Sequence, residues 1–266
     1  MNTSINGSTR VYMMLGHPIA QVRSPTVINE MFHAHGINAV LIGANVAPED
    51  LTTTVSGLMK LENLDGLLVT IPHKTAMLAF ADRILPSSER TGATNALRRE
   101  KDGSWSADMF DGSGFVNALH TKGLSVRGKR VRLYGAGGAG MAIAVALADA
   151  GAAHINLIDL DRQKSGVVAR YLQQSCPDCV IDNAVESYDT AQVIVNASPV
   201  GMKNPTDMPE ILGELHMDTL VGDVIIRQQP TALLAHAARF GCETVSGEEM
   251  HVGQMNSLFE FFGFRV

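Results

Sequence analysis

The run Val69-Thr70-Ile71-Pro72-His73-Lys74 places a lysine just after an apolar stretch, where a buried strand turns outward. Ligands of open α/β sheets bind beyond the carboxyl ends of the strands. A lysine held there can donate to a developing alkoxide or take the proton of an alcohol. Asp111 opens the segment Asp111-Gly112-Ser113-Gly114-Phe115, which suits a helix start with the acid at its cap. If the two side chains meet, the carboxylate orients the ammonium while contacting a substrate hydroxyl. Spacing alone leaves open the alternative of two ordinary solvated charges. His73 reads as a local hydrogen-bonding group outside this pair.

A second centre of chemistry is Gly135-Ala136-Gly137-Gly138-Ala139-Gly140, a G-x-G-x-x-G pattern. The pattern alone is weak, but here it follows an apolar strand, Arg130 to Tyr134, and opens an alanine-rich helix. Gly135 allows the tight turn, Gly137 lets the backbone approach a pyrophosphate, and Gly140 permits close helix–strand packing. The pyrophosphate then lies on the helix N-terminus, where unpaired N–H groups favour negative charge. The alternative is a tight turn with no ligand. Asp159 closes the next strand, where a carboxylate accepts from ribose hydroxyls and repels a 2′-phosphate. Arg162 and Lys164 could reach a phosphate, but both follow the carboxylates Asp159 and Asp161. NAD is therefore the expected cofactor and NADP the alternative.

The elements that must position these groups alternate strand and helix. In the first third, strands are expected at Val11 to Gly16, Ala39 to Val46 and Gly66 to Ile71, with a hairpin of Leu97 to Arg99 and Trp105 to Met109 around Asp102-Gly103. A helix is expected from Ser24, its N-cap, through Pro25 to His35, stopped by Gly36. After Gly123 strands are expected at Arg130 to Tyr134, His154 to Asp159, Val180 to Val185, Gln192 to Ala197, Thr219 to Ile226 and Glu243 to Val245. Strands separated by helices imply parallel pairing through right-handed crossovers. A last helix is expected from Glu249 to Phe262. The fold class is α/β with two domains, an N-terminal α/β substrate domain and a Rossmann-like, doubly wound parallel-sheet cofactor domain.

Bulk properties agree with a cored α/β enzyme: 266 residues, 45% hydrophobic, 25 glycines. A net charge of −6 without a basic run argues against a nucleic-acid partner. No apolar run approaches the ~18 residues of a membrane span, and Met1 to Arg10 lacks the apolar core of a signal peptide. Three cysteines with no export signal point to reduced thiols in the cytoplasm. Cys176 and Cys179 form a C-x-x-C with no second pair nearby, read as two free thiols in a surface loop rather than a zinc or redox site.

The motifs GHPIAQVRSP, VTIPHK, GATNAL, DGSGF, GAGGAG, NASPVGM and GEEMHVGQMNSLFEF resemble, in order, those of the shikimate/quinate dehydrogenase family, from about Gly16 to Phe262. The resemblance implies reversible oxidation of a ring hydroxyl of shikimate or quinate to a ketone, with a small-molecule substrate and a monomer or homodimer. It also implies a catalytic domain of residues 1–110, completed by a C-terminal helix at 247–266, and an NAD(P)-binding domain of residues 111–246. By the same resemblance Lys74 and Asp111 are the catalytic pair. Ser24, Thr70, Asn95 and Gln254 hold the substrate. Asn196, Ser198 and Met202 belong to the loop beside the cofactor, and Gly247, which opens the last motif, joins the cofactor set.

Departures from the family pattern cluster on the substrate side. The family's S-x-S-P reads Val22-Arg23-Ser24-Pro25, its H-N reads Ile28-Asn29, and the asparagine–threonine pair before the aspartate is Met109-Phe110. An expected tyrosine is Ile226, and the N-R-T motif for the NADP phosphate reads Asp159-Leu160-Asp161. Losing one hydroxyl that donates to a substrate carboxylate costs roughly 1.5–3 kcal/mol. Arg23 is the natural compensator, because a guanidinium binds a carboxylate bidentately. Two other readings stand beside the first. One is an NAD-dependent dehydrogenase of the same fold with a less polar substrate, for which Val22, Met109, Phe110 and Ile226 argue. The other is a catalytically silent nucleotide or metabolite sensor.

Overall fold

The computed structural model describes residues 5–184 and 187–264, and the chain divides into two compact units. The first is drawn from Met1–Phe110 and Asn256–Val266, the second from Asp111–Met255.

In the first unit the elements are β1 (Arg10–Gly16), α1 (Ser24–Ala34), β2 (Ala39–Asn45), α2 (Leu51–Leu58), β3 (Leu64–Val69), β4 (Arg83–Ile84), α3 (Pro86–Thr91), β5 (Ala96–Arg99) and β6 (Trp105–Asp108). They form a mixed six-stranded sheet in the order β2-β1-β3-β5-β6-β4. β1 runs parallel to β2 and β3, whereas β5 is antiparallel to β3 and β6. Leu15, Leu67, Val69, Leu97 and Trp105 fill the core over this sheet with Val55 and Met77. The expected hairpin is present, turned at Gly103 with φ +85°. Helix α1 begins one residue earlier than its sequence suggests. Arg23 is the cap residue, without a side-chain cap bond, and Ser24 is buried inside the first turn.

β2 is an edge strand, and an open edge exposes unpaired N–H and C=O groups. Asn29 on α1 closes it. Its side-chain amide donates to the Leu41 carbonyl and accepts from the Leu41 N–H, both at 2.8 Å, as a neighbouring strand would.

The second unit holds α4 (Asp111–Thr121), β7 (Arg130–Tyr134), α5 (Gly138–Asp149), β8 (His154–Ile158), α6 (Arg162–Ser175), β9 (Val180–Asp182), β10 (Val193–Asn196), β11 (Leu220–Asp223), α7 (Ala232–Arg239), β12 (Thr244–Ser246) and α8 (Gly247–Gly253). Its six strands are all parallel, in the order β12-β11-β10-β7-β8-β9. The chain winds outward from β7 through β8 and β9, then returns to lay β10 on the other side of β7. That reversal opens a crevice at the carboxyl ends of β7 and β10, the place where such sheets bind ligands. Val131, Leu133, Ile155, Leu157, Val193 and Val195 build the core with Ile143 and Leu147 of α5.

The strand expected from Val180 to Val185 ends at Asp182, and Val185 lies outside the described residues. Cys176 and Cys179 are free but buried, not in a surface loop. Gln173 folds their turn inward by donating to both cysteine carbonyls and accepting from Ile181 N. Burial pushes the Cys179 thiol up to about 11, which disfavours thiolate chemistry.

The helix expected from Glu249 to Phe262 is two helices, α8 and then α9 (Met255–Phe261), parted at Gln254. The expected grouping of 247–266 with the first domain is also divided. α8 packs on α4 within the second unit, with Gly114 set against Met250 and Gln254, so the first unit takes up the chain only from Asn256. There Phe259 meets Phe32, and Phe262 meets Tyr12 with ring centroids 5.0 Å apart. Arg98 donates to the Phe261 carbonyl and lies over its ring. No helix among the described residues is long and apolar enough to cross a membrane.

The edge clamp gives a direct expectation. Asn29→Ala removes two hydrogen bonds from the Leu41 backbone, so urea unfolding should show a loss of about 1–3 kcal/mol. The opened edge should also make association concentration-dependent in sedimentation. A variant with unchanged stability would show that water serves the edge equally well.

Candidate active site

At the carboxyl ends of β1 and β3 the backbone is drawn tight. Thr70 N donates to Leu15 O and His17 N to Ile71 O, both at 2.9 Å. A Cβ on Gly16 would collide with the Thr70 methyl, so only glycine allows this approach. The buried His73 bonds through Nε2 to Val46 O at 2.7 Å, which makes that nitrogen a donor spent on the turn. The carbonyl of Lys74 accepts from Thr94 N at 2.9 Å, and Asn95 O accepts from Val69 N at 2.8 Å. Lys74, Thr70 and Asn95 are thus fixed, through their main chains, around one end of β3. Asn95 is buried, and its Oδ1 accepts from the N–H of Phe110, the residue before Asp111. Ser24 is buried at the start of α1, and Arg23 beside it is exposed.

Met109 and Phe110 precede Asp111 at the end of the first unit. Both are buried, and the Phe110 ring packs on Phe261 at 5.3 Å. Val22 and Ile226 are half-buried.

In the second unit Asp111 is the buried first residue of α4. Gly112 lies under the Ala142 carbonyl of α5, and a Cβ on Gly114 would stand 2.6 Å from Met250 O and 3.0 Å from the Gln254 Cβ. Asp111 and Gln254, both buried, are therefore carried by two closely packed helices. Lys74 and Asp111 belong to different units.

The glycine turn is now resolvable residue by residue. Gly135 has φ +103°, and a Cβ there would sit 2.8 Å from the main chain of Ala197 and Ser198. A Cβ on Gly140 would strike the Gly135 carbonyl. Both are required by the protein's own packing. Gly137 differs: its backbone is extended, at φ −88° and ψ −176°, and a Cβ would meet nothing within 4 Å. It is followed by Gly138 and Ala139 in the first turn of α5, which has no side-chain cap. The Asp159 carboxylate accepts from Ala136 N at 2.8 Å and from Asp161 N at 3.0 Å, with Lys164 Nζ 4.0 Å away. Asp161 caps α6, accepting from Gln163 N and Lys164 N.

Across the crevice, Asn196 is fully buried. Its Oδ1 accepts from Ser198 N and Ser198 Oγ, and its Nδ2 donates to Val200 O and Asp223 Oδ1. The Ser198 hydroxyl is thus turned into its own loop. The loop closes with Met202 N on Pro199 O and Arg227 Nη1 on Gly201 O at 2.6 Å. Gly247 is buried, and a Cβ there would collide with the Val224 carbonyl, so packing alone requires it. Asp223 was not singled out from the sequence. It ends β11, accepts also from Ile225 N and Thr231 Oγ1, and burial pushes its carboxyl up to about 6. Its signal in the sequence is an acid closing an apolar strand, Leu220-Val221-Gly222-Asp223, one register position short of where Asp159 follows β8.

Residues 14–97 match the model of the shikimate dehydrogenase substrate binding domain. Shikimate dehydrogenase (NADP(+)) of Symbiobacterium thermophilum is 33% identical, over 96% of this chain and 90% of that one. Shikimate 5-dehydrogenase of Listeria monocytogenes, solved with shikimate and NAD, superposes with a TM-score of 0.85 at 27% identity, covering 99% and 94% of the two chains. The ligand-free 5-ketofructose reductase of Gluconobacter sp. strain CHM43 gives a TM-score of 0.84 at 30% identity, covering 97% and 94%. With the lysine-bearing turn, the glycine crevice and these likenesses together, the chain belongs to the shikimate dehydrogenase family.

Proposed function

We propose that this protein is a nicotinamide-dinucleotide-dependent dehydrogenase interconverting a ring hydroxyl and a ketone of shikimate, or of a close relative such as quinate. The observation that carries the reading is a lysine fixed at the end of β3 in a family chain that also keeps an open glycine turn between β7 and β10. The empty space over Gly137 and the uncapped N-terminus of α5 fit a pyrophosphate, and Asp159 fits the adenosine ribose. When bound, such a dinucleotide supplies or accepts hydride. Lys74 donates its proton to the carbonyl oxygen during reduction and takes it back from the alcohol during oxidation. Asp111 orients the ammonium. Thr70, Asn95 and Gln254 hold ring hydroxyls, while Ser24 and Arg23 hold the carboxylate. The loop of Asn196, Ser198 and Met202 borders the nicotinamide end with its main chain, since the Ser198 hydroxyl is spent on Asn196.

We infer NAD over NADP because the residues that follow β8, Asp159-Leu160-Asp161, carry two carboxylates, and carboxylates at that point of the fold repel a 2′-phosphate. The Symbiobacterium relative is named for NADP(+), so this step has its own test. A second reading, a polyhydroxylated ketone without a carboxylate, is favoured by Val22 in place of a hydroxyl and by the likeness to 5-ketofructose reductase.

Following reduced-nicotinamide absorbance with shikimate and quinate, each with NAD and NADP, should give turnover, fastest with NAD. Silence in all four mixtures would overturn the main reading and leave the neutral ketone to be tried. Lys74→Ala should lower kcat by about 10²-fold with dinucleotide affinity unchanged. Gly137→Ala should leave the unfolding midpoint of the free protein where it is, because nothing in the fold needs a glycine there. It should still weaken dinucleotide binding about tenfold or more, and tight binding by this variant would remove the pyrophosphate from that turn. Asp159→Ser should raise NADP use relative to NAD while weakening NAD.

A further inference from the structure

Thr94 stands between Ala93 and Asn95 on the link from α3 to β5, and it is fully buried. Its N–H donates to Lys74 O at 2.9 Å. Its hydroxyl oxygen lies 2.7 Å from Asp108 O, at the end of β6, and 2.9 Å from Ala96 O, at the start of β5. The same oxygen accepts from Ala96 N at 3.3 Å. One residue thus joins the lysine turn after β3 to the ends of two further strands.

Two carbonyl oxygens so close to one side-chain atom restrict what that atom can be. An O–H directs its single proton at them and makes contacts of 2.7 and 2.9 Å attractive. A carbon in the same place approaches a carbonyl oxygen only to about 3.3 Å. A methyl there must therefore retreat by roughly half an ångström. The carbonyls themselves are held by the sheet, where Ala96 and Asp108 face each other in antiparallel register. Asn95 is held as well, its N–H on Asp108 O at 3.2 Å and its carbonyl on Val69 N at 2.8 Å. The displacement falls on Thr94 and on the bond it makes to Lys74. Whether that bond is dragged or broken, the main chain of the lysine leaves its place.

We propose that Thr94 is a positioning residue for proton transfer: its hydroxyl, seated on the Ala96 and Asp108 carbonyls, sets where its N–H holds Lys74. This rests on the role given to Lys74 above. The competing role is purely structural, a hydroxyl that seals the ends of β5 and β6. The two differ in what they predict for catalysis by the folded protein.

The test is steady-state turnover in the fastest of the four mixtures named above, with the melting midpoint of each free variant recorded alongside. Thr94→Val keeps the shape of the side chain and exchanges the hydroxyl for a methyl. Its kcat should fall about tenfold, with the KM of the dinucleotide unchanged because the glycine turn belongs to the second unit. Thr94→Ser keeps the hydroxyl and loses the methyl. It should melt below the wild type, since a buried methyl is gone, and still turn over within about twofold of it. Stability and activity would then separate. Should the valine variant not fold, Thr94→Ala removes the hydroxyl without adding bulk, and its kcat should again fall below that of Thr94→Ser. Wild-type kcat in a folded variant without the hydroxyl, or an equal loss in Thr94→Ser, would overturn the assignment in favour of the structural role. A wild type silent in all four mixtures would overturn the dehydrogenase reading itself, and this proposal with it.

Discussion

The second unit depends on how closely two turns can approach at the ends of adjacent parallel strands. The turn after β7 and the turn after β10 meet main chain to main chain, with the position of an absent Gly135 Cβ only 2.8 Å from Ala197 and Ser198. Once side chains are excluded from that contact, the polar groups of both turns must be satisfied elsewhere. On one side Asp159 takes the N–H of Ala136. On the other Asn196 takes up groups of its own loop and donates to Asp223. The crevice is therefore lined by backbone, and the side chains that shape it stand one layer behind. Buried polar networks of this kind hold only when every member is paired.

The first unit solves the corresponding problem with bulk as well as backbone. Gly16 admits the Thr70 methyl, which brings the exits of β1 and β3 together and leaves Lys74 at their rim. The C-terminal aromatics seal the core against Tyr12 and Phe32. Gly66 has no room for a methyl there, since a Cβ would lie 2.5 Å from the Phe262 ring. Asn29, retained where its histidine neighbour is not, keeps the β2 edge from being a docking strand.

Much of this was legible because apolar runs and glycine turns are local signals. Arg130 to Tyr134 is a strand with the boundaries its pattern suggests, and the Asp102-Gly103 hairpin closes as expected. What was not legible was set by contacts distant in sequence. The turn at Cys176 is the exception, closed by the nearby Gln173 through bonds that no residue pattern marks. The break at Gln254 comes from α8 packing on α4 through Gly114, a contact made across more than half the unit. Phe110 precedes Asp111 in the sequence, and its ring partner Phe261 is one that only folding supplies. Asp223 carries no motif of its own. Its importance lies in the convergence of Asn196, Ile225 and Thr231, and a linear reading sees only an acid after a strand.

Cofactor choice in this fold is then a structural matter as much as an electrostatic one. An acid at the end of β8 is usually considered for what it does to the ribose and a 2′-phosphate. Here the same carboxylate also holds Ala136 N at 2.8 Å and Asp161 N at 3.0 Å, so it anchors the glycine turn to the start of α6. Asp161 fills the helix terminus beyond it by capping Gln163 N and Lys164 N. A substitution that removes the charge of Asp159 also leaves the Ala136 N–H in search of an acceptor, next to the contact on which the crevice is built. Selectivity for the phosphate and the shape of the turn are therefore coupled at Asp159, because a substitution that relaxes the first also takes an acceptor from the second.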